Sequence, residues 1–532
     1  MKKYIYLTNL FLSVFFLSGC ADFLDRQPLD QISRETFYKT ELDVQQGLVS
    51  TYLRMRGDVI GGMGSGNGSS VDIEVLTDNA YSVSSFMEFQ TIGRGLHTAS
   101  TGGGITSMWN QCWQGVAYCN FFLDNLEREE VKGLLPEANY KKYKGEALFN
   151  RCYYYHLLAE HFGDIPWIET SVTPESPYLG FARDPKSKIV TEILKDIDIA
   201  IDGLPLPAAG YTDGHAIKSS AIMLKVRILM ANGKYQEAVT AAELLIKNPQ
   251  NPHYLADDFS GIFFGKQRNN PEIIFSVQYE GATDQHSFDQ YTASRFSCYP
   301  VGDLAIAYGH KANGDPDPRL RMTMFVVGDP WVMHNIESPI ATGEYTYPNG
   351  LGTFSYTLGQ FIPKTSPEIP HQAEQSVPAW SLGWKKGVDT TVIQPRGLST
   401  QHRVMMRYAD LLLLYAEAKV EVAGGTTTDP DALAAFNAVR TRQGVNMPEE
   451  TALTRELVRN ERRVELAYEG VRIYDIMRWN IGKEVIARKT TSAGNNGVAN
   501  APGEWKSNLW PIPQNVMNIM IPSADWEQNE EY

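Results

Sequence analysis

The sequence predicts a mainly α-helical protein in which antiparallel helix pairs form a platform, packed with a loop-rich region that contains short strands. Three observations carry this reading. Apolar residues recur at helical spacing over several long stretches, whereas Gly, Ser and Pro gather in two segments, 57–104 and 256–397, that break the spacing. Hydrophobic residues make up 43% of the chain and charged ones 21%, a balance that supports a packed core and excludes wholesale disorder. The 532 residues suffice for two to four domains or one large elaborated one.

At the N-terminus Lys2 and Lys3 precede an apolar stretch from Leu7 to Leu17 that is too short for an ordinary spanning helix. The tetrad Leu17-Ser18-Gly19-Cys20 has the form of a bacterial lipobox, in which the Cys thiol is alkylated by a diacylglyceryl group and cleavage falls just before it. Several acyl chains, at about 0.8 kcal/mol per buried methylene, make a stable anchor. Residues 1–19 are therefore expected to be removed and Cys20 lipidated, and losing Lys2 and Lys3 takes the formal charge from −14 to −16.

The helical pairs follow. The stretch from Ser107 to Leu126 begins a weaker one, and Tyr140 to Phe162 pairs with Ile189 to Leu204. From Ser219 to Pro249 an amphipathic helix, a turn at Gly233 and a second helix near Tyr235 give Gly233-x-Tyr235-x-x-Ala238 followed by Pro249, the turn and second helix of a tetratricopeptide-type unit. Met406 to Val422 with Asp431 to Gln443 makes another pair. Such pairs bury their faces only against neighbours, so they should stack into a short solenoid although they are not contiguous in sequence. Long irregular segments inside a compact protein are usually functional, which makes 57–104 and 256–397 the expected working surface, with a short strand at Ile273 to Tyr279.

Several chemistries are excluded or disfavoured. With 48 Lys and Arg against 62 Asp and Glu, the chain lacks the basic excess that nucleic-acid binding requires. Cys112, Cys119, Cys152 and Cys298 contain no C-x-x-C spacing, so buried free thiols are expected and not a metal cluster. His156 and His161 flank Glu160 in a zinc-like pattern, yet five residues place them about 140° apart around a helix. Gly61 to Gly68 lacks the Lys-Ser/Thr pair of a phosphate loop. From Leu453 to Trp479 arginines alternate with acids. Arginines at helical spacing would depress the carboxyl pKa values, the opposite of what a glycosidase acid needs, so an ion-paired structural helix is expected.

The lipobox followed by Cys20 to Asp25 with Pro28 resembles the start of SusD/RagB-family lipoproteins of Bacteroidetes. So do EALFNRCYYYHLLAEHFGDIPWI from Glu146, GKYQEA from Gly233, NPEIIFSVQY from Asn270, RYADLLLLYAEA from Arg407, FNAVRTRQG from Phe436, the arginine-glutamate helix ending in DIMRW, and LWPIPQ from Leu509. On this resemblance 20–255 is an N-terminal SusD-like helical region with a ligand-loop insertion, and 256–532 a C-terminal SusD/RagB region whose irregular insertion covers about 256–400. It implies a glycan-binding lipoprotein of the outer membrane, facing the cell exterior, that hands oligosaccharide to a SusC-like TonB-dependent transporter. It also implies no catalysis and no cofactor. Some family members suggest bound calcium, but no EF-hand-like spacing occurs here. Peptide or glycoprotein capture of RagB-like kind is the alternative, and a lipid-anchored glycoside hydrolase a more distant one.

The resemblance places ligand contacts in the N-terminal loop and the large insertion. The candidates are Asp78, Asn79, Phe86, Phe89 and Arg94 from the first, and Tyr291, Phe296, Tyr299 and Trp331 from the second. Aromatic faces stack on sugar C–H groups while carboxylates, amides and guanidinium groups bond to hydroxyls. Core or loop packing is the competing role of each aromatic.

Overall fold

A computed structural model describes residues 37–62, 70–81, 88–172, 180–206, 213–264, 269–281, 284–286, 299–311, 313–326, 344–346, 352–355, 360–363, 382–387, 399–491 and 503–532. Helix α1, Glu41–Tyr52, opens on a reciprocal cap: Thr40 Oγ1 accepts from Asp43 N–H while the Asp43 carboxylate accepts from Thr40 N–H at 2.7 Å. Then come α2 (Gly103–Leu126), α3 (Glu137–Phe162), α4 (Lys186–Gly203), α5 (Lys218–Ala231) and α6 (Tyr235–Ile246). After the insertion follow α7 (Tyr408–Val422), α8 (Pro430–Thr441), α9 (Arg455–Glu465), α10 (Arg472–Trp479), α11 (Gly482–Thr491) and α12 (Gln514–Ala524).

Each of α2 to α7 packs on the next, and α6 meets α7 directly although the whole insertion separates them in sequence. The expected stack of pairs is therefore continuous, and its boundaries lie within a few residues of those read from periodicity. The α5–α6 turn is made at Gly233, which holds φ +68°, a left-handed conformation that costs other residues more. Helices α2 and α3 approach closely at Gly115, where a Cβ would lie 2.5 Å from the Tyr154 ring. One apolar cluster runs from Tyr38 to Trp526. Cys112, Cys119 and Cys152 are buried free thiols within it, as expected, while Cys298 lies outside the described residues.

His156 and His161 are also interior. Both rings pack against Tyr474, and burial pushes each imidazole down to about 3, so both are neutral near pH 7. Among the described residues no three His, Cys, Asp or Glu side chains converge as a metal site, and no helix is long and apolar enough to cross a membrane.

The short strands up to α7 are β1 (Ala80–Tyr81), β2 (Ile273–Val277), β3 (Tyr299–Pro300), β4 (Met324–Val326), β5 (Glu344–Thr346), β6 (Gly352–Ser355), β7 (Gln360–Pro363), β8 (Leu382–Trp384) and β9 (Arg403–Arg407), and beyond it Thr426–Thr427 pairs antiparallel with Leu453–Thr454. All pairings among them are antiparallel: β1 with β3, β2 with β9, β4 with β8, and β5–β6–β7 as a meander. Two expectations are corrected here. Met406 does not begin a helix, because Met406 and Arg407 pair with Phe275 and Ile273 in the β2–β9 ladder and α7 starts at Tyr408. Nor is Leu453 to Trp479 one helix. It breaks between α9 and α10, where Tyr468 and Gly470 take φ +64° and +77° and the Tyr468 ring stacks on Trp384 at 4.6 Å.

The acids and arginines of this segment are ion-paired, mostly with partners on other elements. Arg319, Lys386, Arg407, Arg440 and Arg442 meet Glu272, Asp317, Glu461, Glu465 and Glu469, five cations against five anions. At the centre Glu465 takes Arg407 at 2.7 Å, Arg319 at 2.8 Å and also Arg442, with the Glu465 and Arg407 side chains at 0% and 1% exposure. Arg407 reaches on to Glu272 and Glu469. The cluster fastens the large insertion, through Glu272, Asp317, Arg319 and Lys386, to α8 and α9. Removing one member leaves its partners charged and buried, which costs about 3–5 kcal/mol. Glu465→Gln is therefore expected to lower the free energy of urea unfolding by about that amount. A change below about 1 kcal/mol would mean that the cluster relaxes around the loss.

Candidate functional site

The two segments expected to carry the working surface meet at one strand pair. In β1–β3, Tyr81 lies opposite Tyr299 and Ala80 opposite Pro300, and Val301 N–H donates to the Asn79 carbonyl at 2.9 Å. The N-terminal loop is thus held against the insertion by backbone bonds that no local sequence pattern announces.

Side chains from α9, α10 and α11 lock this junction from below. Arg472 donates from Nε and Nη2 to the two oxygens of Asp78 at 2.8 and 2.9 Å, and Arg488 Nη2 reaches Asp78 at 2.9 Å. Arg463 donates to the Asp78 carbonyl at 2.7 Å and the Asn79 side-chain carbonyl at 3.0 Å. Arg463 and Arg488 also bind Asp303, just beyond β3, so two guanidinium groups bridge the loop and the insertion. Asn79 in turn donates to Glu74 at 3.0 Å, and Glu74 accepts from Gly470 N–H. Burial alone would raise the Asp78 pKa, but Arg463, Arg472 and Arg488 outweigh it and hold the carboxyl well below the usual range. Burial dominates at Glu74, whose pKa is raised.

These positions revise part of the expected contact set. Asp78 and Asn79 are 0% exposed, with their polar atoms engaged by Arg463, Arg472, Arg488 and Glu74. Phe89 is 3% exposed and lies against Gly104, where a Cβ would come within 2.7 Å of its ring. These three hold the surface together from inside and present nothing to a ligand. Arg94 is half-buried with an unpartnered Nε, at a short helical turn pinned by Glu504 N–H donating to the Arg94 carbonyl. Gly95 is required next to it, because at φ +71° a Cβ would lie 2.4 Å from the Glu504 carbonyl oxygen. Tyr299 is placed by its backbone in β3, whereas Phe86, Tyr291, Phe296 and Trp331 lie outside the described residues, as does Cys20. The residues the sequence reading missed are Tyr81 and Asp303. A two-residue strand has no periodicity to detect, and only the aromatic at 81 offered a chemical signal.

The Asp78 lock has a definite pH signature. A carboxyl whose folded pKa lies below its unfolded value contributes stability that is full above the unfolded pKa and is lost as pH falls through the folded one. Asp78→Asn should therefore destabilise the protein at neutral pH by about 3–5 kcal/mol, and the deficit should shrink as pH drops below about 4. Urea melts across pH 7 to 3 read both, and a deficit independent of pH would show that the Asp78 charge is not what matters.

A family model described as the SusD family matches residues 306–532, and one described as starch-binding associating with outer membrane matches residues 22–229. SusD-like protein P2 of Formosa agariphila is 24% identical over 96% of this chain and 97% of its own. A crystal structure of a SusD-like carbohydrate binding protein from Bacteroides fragilis superposes with TM-score 0.72 at 24% identity, covering 91% of this chain and all but 1% of the other. Surface glycan-binding protein A from Bacteroides fluxus gives TM-score 0.65 at 22% identity, over 93% of this chain and 100% of its own. These structural likenesses establish the helical architecture.

Proposed function

Since this chain belongs to the SusD/RagB family, we propose that it is a glycan-binding lipoprotein of the outer membrane, held through Cys20 and facing the cell exterior. It captures oligo- or polysaccharide and passes it to a SusC-like TonB-dependent transporter. The observation that carries this reading is the β1–β3 junction, which brings the N-terminal loop and the aromatic-rich insertion to one surface on a rigid helical platform. A matching family model described as starch-binding and solved structures named for carbohydrate and glycan binding support the ligand class. Binding without catalysis fits the acids of the α9–α10 segment. Burial would raise Glu461, Glu469 and Asp475, but arginines hold all three below their ordinary range, which suits permanent anions and not a proton donor.

Arg94 and the insertion aromatics Tyr291, Phe296, Tyr299 and Trp331 are the ligand contacts of this proposal, with Phe86 joining them from the loop. Trp331→Ala and Tyr299→Ala should each weaken glycan binding by about tenfold, the equivalent of one lost stacking contact of ~1.4 kcal/mol. Affinity electrophoresis over a panel of plant, host and fungal polysaccharides measures this. Retention of every glycan at wild-type strength by both variants would move the site elsewhere, and release of reducing sugar by the purified protein would replace the reading with a hydrolase. Cys20→Ser should shift the protein from the membrane to the soluble fraction of cells, since the acyl chains are its only proposed anchor.

A further inference from the structure

A cleft of about 500 Å³ opens between the short helix Gly302–Ala307, which starts just beyond β3, and helices α9, α10 and α11. Its volume lies in the range of small-ligand sites, roughly 300–1,000 Å³. Five guanidinium groups line it: Arg455, Arg459, Arg463, Arg472 and Arg488. Three carboxylates line it as well: Asp303, shared between Arg463 and Arg488, Glu484, 3.9 Å from Arg488, and Glu456, so the arginines outnumber the acids by two. Arg472 is 5% exposed and spends Nε and Nη2 on Asp78, which leaves Nη1 buried without a partner. Arg459 Nε is likewise buried and unpartnered, and its nearest carboxylate contact is Glu421 at 3.6 Å. An unmatched buried donor costs about 1–3 kcal/mol, and more when it is charged. Both donors belong to side chains that line this one cleft.

The acceptor's chemistry follows from the donors. Guanidinium N–H groups in a fixed plane suit an oxyanion that accepts from several directions. Trp479 fixes those planes, with the Arg459 and Arg472 guanidinium carbons 4.7 and 5.4 Å from its ring centre. Beside the arginines runs an apolar wall of Ile306, 68% exposed, and Ile481, half-buried, backed by the buried Val485. Arginines next to an exposed apolar wall match a sugar ring that carries a charged substituent and presents a C–H face. We propose that this cleft is a subsite for an acidic sugar residue, binding the carboxylate of a uronic acid or a sulfate ester. The inference rests on the glycan-capture reading and adds that the captured glycan is anionic.

Thermal unfolding of the full chain in detergent micelles, with sodium glucuronate, sodium sulfate or glucose at ionic strength matched with sodium chloride, tests the cleft alone. Glucuronate or sulfate should raise the midpoint above the chloride control, glucose should not, and which anion acts identifies the substituent. Ile306→Glu places a carboxylate on the exposed wall without touching an ion pair, and Arg459→Gln removes an unpartnered donor. Each should reduce the anion-induced shift. No shift with either anion, or a full shift surviving in both variants, overturns the proposal. Titration with acidic and neutral oligosaccharides then separates the two readings. A loss of about tenfold in acidic-oligosaccharide affinity on Ile306→Glu supports the subsite. Binding of neutral oligosaccharides alone overturns the subsite and leaves glycan capture standing, whereas anion stabilisation with no oligosaccharide bound overturns glycan capture and keeps the cleft as an anion site.

Discussion

The buried ion-pair cluster around Arg407 and Glu465 is the constraint on which the rest of the molecule depends. A helical solenoid can form from local periodicity and nearest-neighbour packing, but among the described residues the large insertion has only short strands and short helices of its own and must be fixed by something else. Glu272, Arg319 and Lys386 fix it, each supplying a charge that is tolerable in the interior only where Arg407, Arg442, Glu461, Glu465 and Glu469 supply the opposite one, while Asp317 pairs with Arg319. Apolar residues of the same volume could be as stabilising. What the charges add is intolerance of misplacement, since any other docking of the insertion would strand them unpaired. The same principle is repeated on a smaller scale at Asp78, where arginines from α9, α10 and α11 set the position of the N-terminal loop.

This arrangement separates support from contact. Residues with the chemistry of a binding site, Asp78 and Asn79, are consumed in holding the loop, and Phe89 closes the packing beneath it. The surface they carry is then free to vary without endangering the fold. A recognition protein built on a platform gains from that separation, because ligand specificity can change in loops while the scaffold keeps its stability.

The helix pairs were legible because each announces itself locally: apolar residues at helical spacing, Gly233 at the turn, Asp429 capping α8 at Ala432 N–H. The strand start at Met406 and the break after Glu465 were not, because both are set by distant partners, Phe275 in one case and the Trp384 ring in the other. Family motifs named the segments expected to carry the site. They did not say which side chains in those segments face outward, since a carboxylate followed by an amide reads the same whether it meets a sugar or three arginines.

By itself the sequence determined the class of the protein through the helix pairs and the ordered SusD/RagB motifs that span the chain, and it raised the expectation of a lipid anchor at Cys20. Tertiary structure alone decided that β1 meets β3, that the charges of α9 and α10 pair mostly across elements, and that a cleft with unmatched arginine donors lies beside the junction. The division has one physical cause. Periodicity and motifs encode contacts between residues close in the chain, while burial and charge pairing depend on what arrives from far away.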